Sequence, residues 1–140
     1  MKRSVVLVGH GSKLEHSGEA LKQVCESLRK KEPDTFFQVA FLEITSPSIP
    51  EAVDLCFKQG ADEVIIVPYF VQSGKHVNQH IPQIVSEIQA RHPAKSIRLA
   101  RHLDFDERIV AVVLDRIRVA QALFSTVVNE CGRKIPPNDG

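Results

Sequence analysis

At 140 residues the chain is long enough for one domain around one core. Hydrophobic residues make up 43% and charged residues 25%, and 18 lysines and arginines stand against 17 aspartates and glutamates, a net charge of +1. That balance offers no basic field for nucleic acid, and no apolar run reaches the eighteen or so residues of a spanning helix, so neither nucleic acid nor a membrane is expected as a partner.

Apolar patterning alternates between strand and helix along the chain. Ser4–Val8 is a short continuous apolar strand. Leu14, Leu21, Val24, Cys25 and Leu28 recur at helical spacing and predict a helix over roughly 13–31. Phe36–Glu43 reads as the second strand. Ser48 with Glu51 three residues later forms a capping box for a helix whose stripe is Ile49, Ala52, Val53, Cys56 and Phe57, stopped at Gly60. Glu63–Pro68 is a third strand of the kind buried on both faces. Val77, Ile81, Ile84, Val85 and Ile88 predict a third helix, and Pro82 fits its first turn if the helix proper starts near His80. Ser96–Ala100 is a short fourth strand, and a long last helix is expected to run to about Glu130.

Four βα units in series predict a flavodoxin-like α/β fold. It is a three-layer sandwich with a four-stranded parallel sheet of order 2-1-3-4, helices on both faces and a long C-terminal helix. Residues 1–131 are expected to form a single domain and 132–140 a flexible tail. Cys25, Cys56 and Cys131 are odd in number and far apart. Two of them sit in apolar helical stripes, which suits free thiols better than a disulfide framework. The basic start Met1-Lys2-Arg3 precedes too few apolar residues for a signal peptide, and a cytoplasmic location is expected.

In open α/β sheets ligands bind beyond the carboxyl ends of the strands. There the first strand delivers His10, in Gly9-His10-Gly11-Ser12-Lys13, and the second delivers Glu43. The third delivers Tyr69 and the loop with Gly74, Lys75 and His76, and the fourth delivers Arg101 and His102. Neighbouring strands 2, 1 and 3 would bring Glu43, His10 and His76 to one rim. A phosphate cradle is a weak reading of Gly9-His10-Gly11, because no glycine-rich nucleotide motif is present. A phosphohistidine enzyme would carry arginine where Gly9 stands, and the plain alternative is a turn whose histidine merely hydrogen-bonds the loop. A metal ligand fits best, since imidazole suits divalent first-row ions. His80 stands four residues after His76, on the same face of a helix, and is a further candidate ligand; without the glutamate of the His-Glu-x-x-His pattern the pair is not a zinc-protease motif.

Three motifs together are distinctive: Val8-Gly9-His10-Gly11-Ser12; Phe41-Leu42-Glu43 with Pro47-Ser48-Ile49; and Val67-Pro68-Tyr69-Phe70 with Gly74-Lys75-His76-Val77 and Ile81-Pro82. In order and spacing over about residues 1–120 they resemble the small single-domain class II chelatases that act on sirohydrochlorin in cobalamin and sirohaem synthesis. The resemblance implies ATP-independent insertion of a divalent ion into the tetrapyrrole. Cobalt(II), iron(II) or nickel(II) would be the substrate, and no cofactor is held permanently. It implies that His10 and His76 hold the ion and that Glu43 joins them in catalysis. Many relatives carry aspartate where His80 stands, and the segment Ala100–Ile109 departs from the proline-leucine-glycine pattern of the family. Ser12, Lys13, Tyr69, Gly74, Lys75 and Arg101 are expected to contact the macrocycle, the cations pairing with its carboxylates. A homodimer is expected, through the site-side surface or the last helix. The competing reading is a protein that binds or delivers a metal or tetrapyrrole without inserting one into the other.

Overall fold

Four apolar segments pair, all parallel, into one sheet of order β2-β1-β3-β4 in the computed structural model, which describes residues 2–13, 18–122, 127–128 and 134–135. The strands are β1 (Arg3–Gly9), β2 (Phe36–Phe41), β3 (Glu63–Pro68) and β4 (Ser96–Leu99). Between them run α1 (Glu19–Lys31), α2 (Ile49–Lys58) and α3 (Ile81–Arg91), and α4 (Glu107–Ala122) follows β4. The expected topology and strand order are those observed.

Strand alternation divides the core between the two faces of the sheet. Val6 and Val8 of β1, Ala40 of β2 and Val64 and Ile66 of β3 point one way. They meet Ile49, Ala52, Val53 and Cys56 of α2 and Ile81 and Ile88 of α3. Leu7, Phe37 and Phe41 point the other way, against Leu21 and Cys25 of α1. Each fully buried valine or isoleucine contributes about 1.5–3 kcal/mol of transfer free energy, so the two-helix face carries most of the stabilisation. Burial pushes the Cys56 thiol up to about 11, opposed weakly by the Ser4 hydroxyl, and raises Cys25 more than neighbouring Arg29 lowers it. Cys25 and Cys56 are free thiols; Cys131 lies outside the described residues.

The helix signals act as the sequence implies. The Ser48 hydroxyl accepts from the Glu51 amide at 3.3 Å and donates to the Glu51 carboxylate at 3.1 Å. Gly60, at φ +91°, follows the C-cap of α2 in the left-handed region. Four boundaries differ. The first helix starts at Glu19, with Gly18 at its N-cap in the left-handed region, and not near residue 13. The second strand stops at Phe41, two residues before Glu43, because the chain turns sharply there. The third helix is preceded by one π turn over His76–His80, closed by Ile81 N–H to His76 C=O. Pro82 explains it: proline has no N–H for the carbonyl four residues back and its ring crowds that carbonyl, so the backbone widens on entry. The last helix does not reach Glu130. Val127–Val128 pair antiparallel with Lys134–Ile135, so the first pair is extended rather than helical.

The chain divides into two compact units, residues 1–104 and residues 105–140. The first holds the sheet and α1–α3. In the second, α4 buries none of its residues, and Val112, Val113, Leu114, Ile117 and Val119 are all exposed. Leu14, His16 and the stretch expected to continue α4 over 123–126 lie outside the described residues.

Candidate metal centre

The carboxyl ends of β2, β1 and β3 carry Glu43, His10 and His76 onto one rim, where one ligand atom from each lies within 4.8 Å of the others. No two of these residues are near in sequence; the strand order assembles them. Beyond the last ladder pair, Gly9 with Phe41, the two chains stay bonded: Leu42 N–H donates to Gly9 C=O at 3.0 Å and Glu43 N–H to His10 C=O at 3.1 Å. Glu43 is therefore held beside His10 by backbone, not by side-chain reach.

Gly11 makes that approach possible. Its φ is +95°, and a Cβ there would overlap the Glu43 carbonyl oxygen. Gly74 differs: a Cβ there would meet nothing within 4 Å.

Two features that the sequence pattern did not signal shape the Glu43 side. Ile44 has φ +67°, rare for a β-branched residue, and Thr45 N–H bonds back to Glu43 C=O at 2.6 Å across it. A tight three-residue turn of this hand stores on the order of 1–3 kcal/mol of strain. The Thr45 hydroxyl then spans to the first loop, accepting from Ser12 N–H at 3.2 Å and donating to Ser12 C=O at 3.0 Å. Thr45 thus ties the loop after β2 to the loop after β1. Ser12, expected at the macrocycle, is engaged through its backbone in this tie.

His10 is exposed and His76 half-buried, their ring centroids 5.1 Å apart and nearly perpendicular at 84°. His10 Nδ1 lies 3.0 Å from Gly11 C=O. A carbonyl only accepts, so the tautomer with the proton on Nδ1 is the one that makes this bond, and that tautomer leaves the Nε2 lone pair for an ion. Two imidazoles and one carboxylate leave further coordination positions open to substrate, unlike the closed four-ligand sets of structural sites. Beside them lies a cleft of about 370 Å³ lined by Glu43, Lys75, His76, Gln79, His80 and Gln83. Gln79 and Gln83 were not foreseen; their four-residue spacing from Lys75 and from each other is the signal available in the sequence.

The remaining expected contacts are dispersed. Lys75 lines the cleft. Tyr69 is partly buried against the α1-side core, with its amide on Val8 C=O at 2.8 Å, so most of its ring packs rather than faces the rim. Lys13 and Arg101 are exposed and are not among the residues lining the cleft. The loop after β4 is tied to the loop after β3 by Leu103 N–H to Phe70 C=O at 3.0 Å, and His102 Nε2 is enclosed there without a hydrogen-bond partner.

A family model described as CbiX matches residues 4–120. Over 89 residues the chain is 35% identical to the sirohydrochlorin cobaltochelatase of Methanocaldococcus jannaschii, covering 64% of this chain and 62% of that relative. It is 26% identical over 118 residues to the sirohydrochlorin ferrochelatase of Bacillus subtilis, covering 84% of this chain and 45% of the relative. The crystal structure of the sirohydrochlorin chelatase SirB from Bacillus subtilis subspecies spizizenii in complex with cobalt superposes with a TM-score of 0.78 at 26% identity. It covers 84% of this chain and 50% of that one. The matches thus span less than two thirds of these relatives' own lengths.

Proposed function

The chain belongs to the CbiX family, and from that premise we propose that it inserts a divalent metal ion, cobalt(II) or iron(II), into sirohydrochlorin without ATP. The observation that carries this reading is the convergence of His10, Glu43 and His76 within 4.8 Å at the end of the sheet where α/β proteins bind ligands. The relatives named for cobalt and iron insertion support both ions as substrates, and nickel(II) suits the same donors.

His10 through Nε2, His76 and Glu43 hold the ion with positions left open above them. The macrocycle approaches this face and its inner nitrogens replace water on the ion. Those nitrogens must lose two protons as the ion enters. The neutral imidazoles, released from the ion as it transfers, are placed to accept them, and Glu43 carries the counter-charge. The site must give its ion up, and three protein ligands on an exposed rim suit release better than a closed cage. Lys75 in the cleft pairs with carboxylates at the macrocycle edge, with Ser12, Lys13, Gly74 and Arg101 as further candidates for that edge.

The protein acts as a homodimer in this reading. α4 exposes a row of apolar side chains that a second copy would cover. No helix among the described residues is long and apolar enough to cross a membrane. Light scattering at micromolar concentration gives twice the chain mass if the dimer is right and the single-chain mass if it is wrong.

The activity is tested by absorbance. Apoprotein mixed with sirohydrochlorin and cobalt(II) yields the metallated spectrum faster than the protein-free control. A binding or delivery protein would take up the metal or the tetrapyrrole and leave that rate unchanged, which overturns the proposal.

A further inference from the structure

We propose that His76 and His80 form a second, two-imidazole position for the divalent ion, on which it lands before it moves to His10 and Glu43. This rests on the metal-insertion reading of the same rim. The spacing is similar while the ring orientation differs: the His76 and His80 centroids are 5.8 Å apart with planes tilted 38°, against 5.1 Å and 84° for His76 and His10. His76 is thus the middle ring of three. An ion bound between His76 and His80 reaches the His10 side by exchanging one imidazole at a time, without leaving the protein.

The backbone builds this pair. His76 and His80 begin and end the π turn that Pro82 imposes, and both rings line the cleft with Glu43, Gln79 and Gln83. His80 is half-buried there and, unlike His92, which lies 3.5 Å from Asp54, it has no carboxylate partner among the described residues. Glu43 lines the same cleft, but its ligand atom groups within 4.8 Å with His10 and His76 and not with His80, and two imidazoles alone bind a first-row ion less tightly than two imidazoles with a carboxylate. Lys75 in the same cleft weakens the outer position further. Binding therefore strengthens from His80 toward Glu43, the direction in which an incoming ion has to travel.

Cobalt(II) titrations at fixed pH, followed by visible absorption, separate the two positions. Wild type binds one ion at the three-ligand set. The variant His10→Ala/Glu43→Gln loses that set and still binds one ion through His76 and His80, at least about tenfold more weakly. Adding His80→Ala to it removes detectable binding. His80→Asn repeats the measurement with a polar side chain retained at the turn, and circular dichroism confirms each variant folded. A double variant that binds no cobalt, or binds it equally with and without His80, overturns the landing position and leaves the three-ligand centre standing. A double variant that binds cobalt as tightly as wild type, but only with His80 present, overturns the three-ligand centre instead.

Discussion

The two ends of the sheet both bring histidine near carboxylate, and they do so to different ends. At the amino ends of the strands opposite charges are paired off: Arg3 with Glu32 at 3.1 Å, Lys95 with Asp62 at 3.9 Å, Arg98 with Glu63. There His92 sits 3.5 Å from Asp54, its ring against Phe57 at 4.8 Å, one carboxylate for one histidine with an aromatic wall. At the carboxyl ends one carboxylate meets two histidines, and no lysine or arginine is ion-paired with it among the described residues. The first arrangement satisfies itself. The second has spare lone pairs pointing at a common space, which a cation would satisfy. A histidine beside a carboxylate is a packing detail or a metal ligand according to whether the set is already neutralised, and the topology of the sheet decides which.

The largest effects that sharpen this contrast are at the carboxyl end. His10→Ala and His76→Ala are each expected to lower the rate of metal insertion by at least about tenfold, with the fold intact because both residues sit outside the packed strands. Full activity in either variant would remove that residue from the site. Gly11→Ala acts on the same site through backbone alone. Its Cβ would strike the Glu43 carbonyl and its φ would be strained, so insertion falls by about tenfold or more and stability by about 1–3 kcal/mol in a urea melt.

The amino end answers to pH through its core. Cys56 has its pKa raised from 9.0 to about 11 by burial. Below pH 9 the thiol is protonated folded and unfolded, and its contribution is constant. As pH rises from 9 through 11 the unfolded thiol ionises first and draws the protein toward unfolding, a loss of about 2–3 kcal/mol. Stability measured by denaturant between pH 8 and 11 should fall, and Cys56→Ala should flatten that fall whatever its cost at neutral pH. The smallest effect is Asp54→Asn. The exposed pair with His92 is worth less than about 1 kcal/mol, and cobalt affinity and insertion rate should not change. A loss of metal binding in Asp54→Asn would erase the distinction between the two ends.

The sequence carried the strand order and the rim, because apolar strands of five or six residues separated by helical stripes leave few right-handed arrangements. His10 and Glu43 followed from that order, standing one and two residues past the ends of β1 and β2, and His76 followed at the end of the seven-residue loop after β3. What the pattern could not carry lies in dihedral angles and in contacts between distant loops. Nothing in Glu43-Ile44-Thr45 announces a positive φ at an isoleucine, and nothing marks Thr45 as the tie to Ser12. The π turn was encoded in Pro82 but read as a plain helix start, a difference of one turn that decides where His80 points. Tyr69 was placed on the rim by counting, while strand alternation turns its ring toward α1.

The account rests on where the ion binds. In crystals of the protein equilibrated with cobalt(II), anomalous scattering at the cobalt edge should give a peak at bonding distance from His10, Glu43 and His76, about 2.0–2.2 Å. A peak at His92 and Asp54, or none at the carboxyl rim of the sheet, would contradict it.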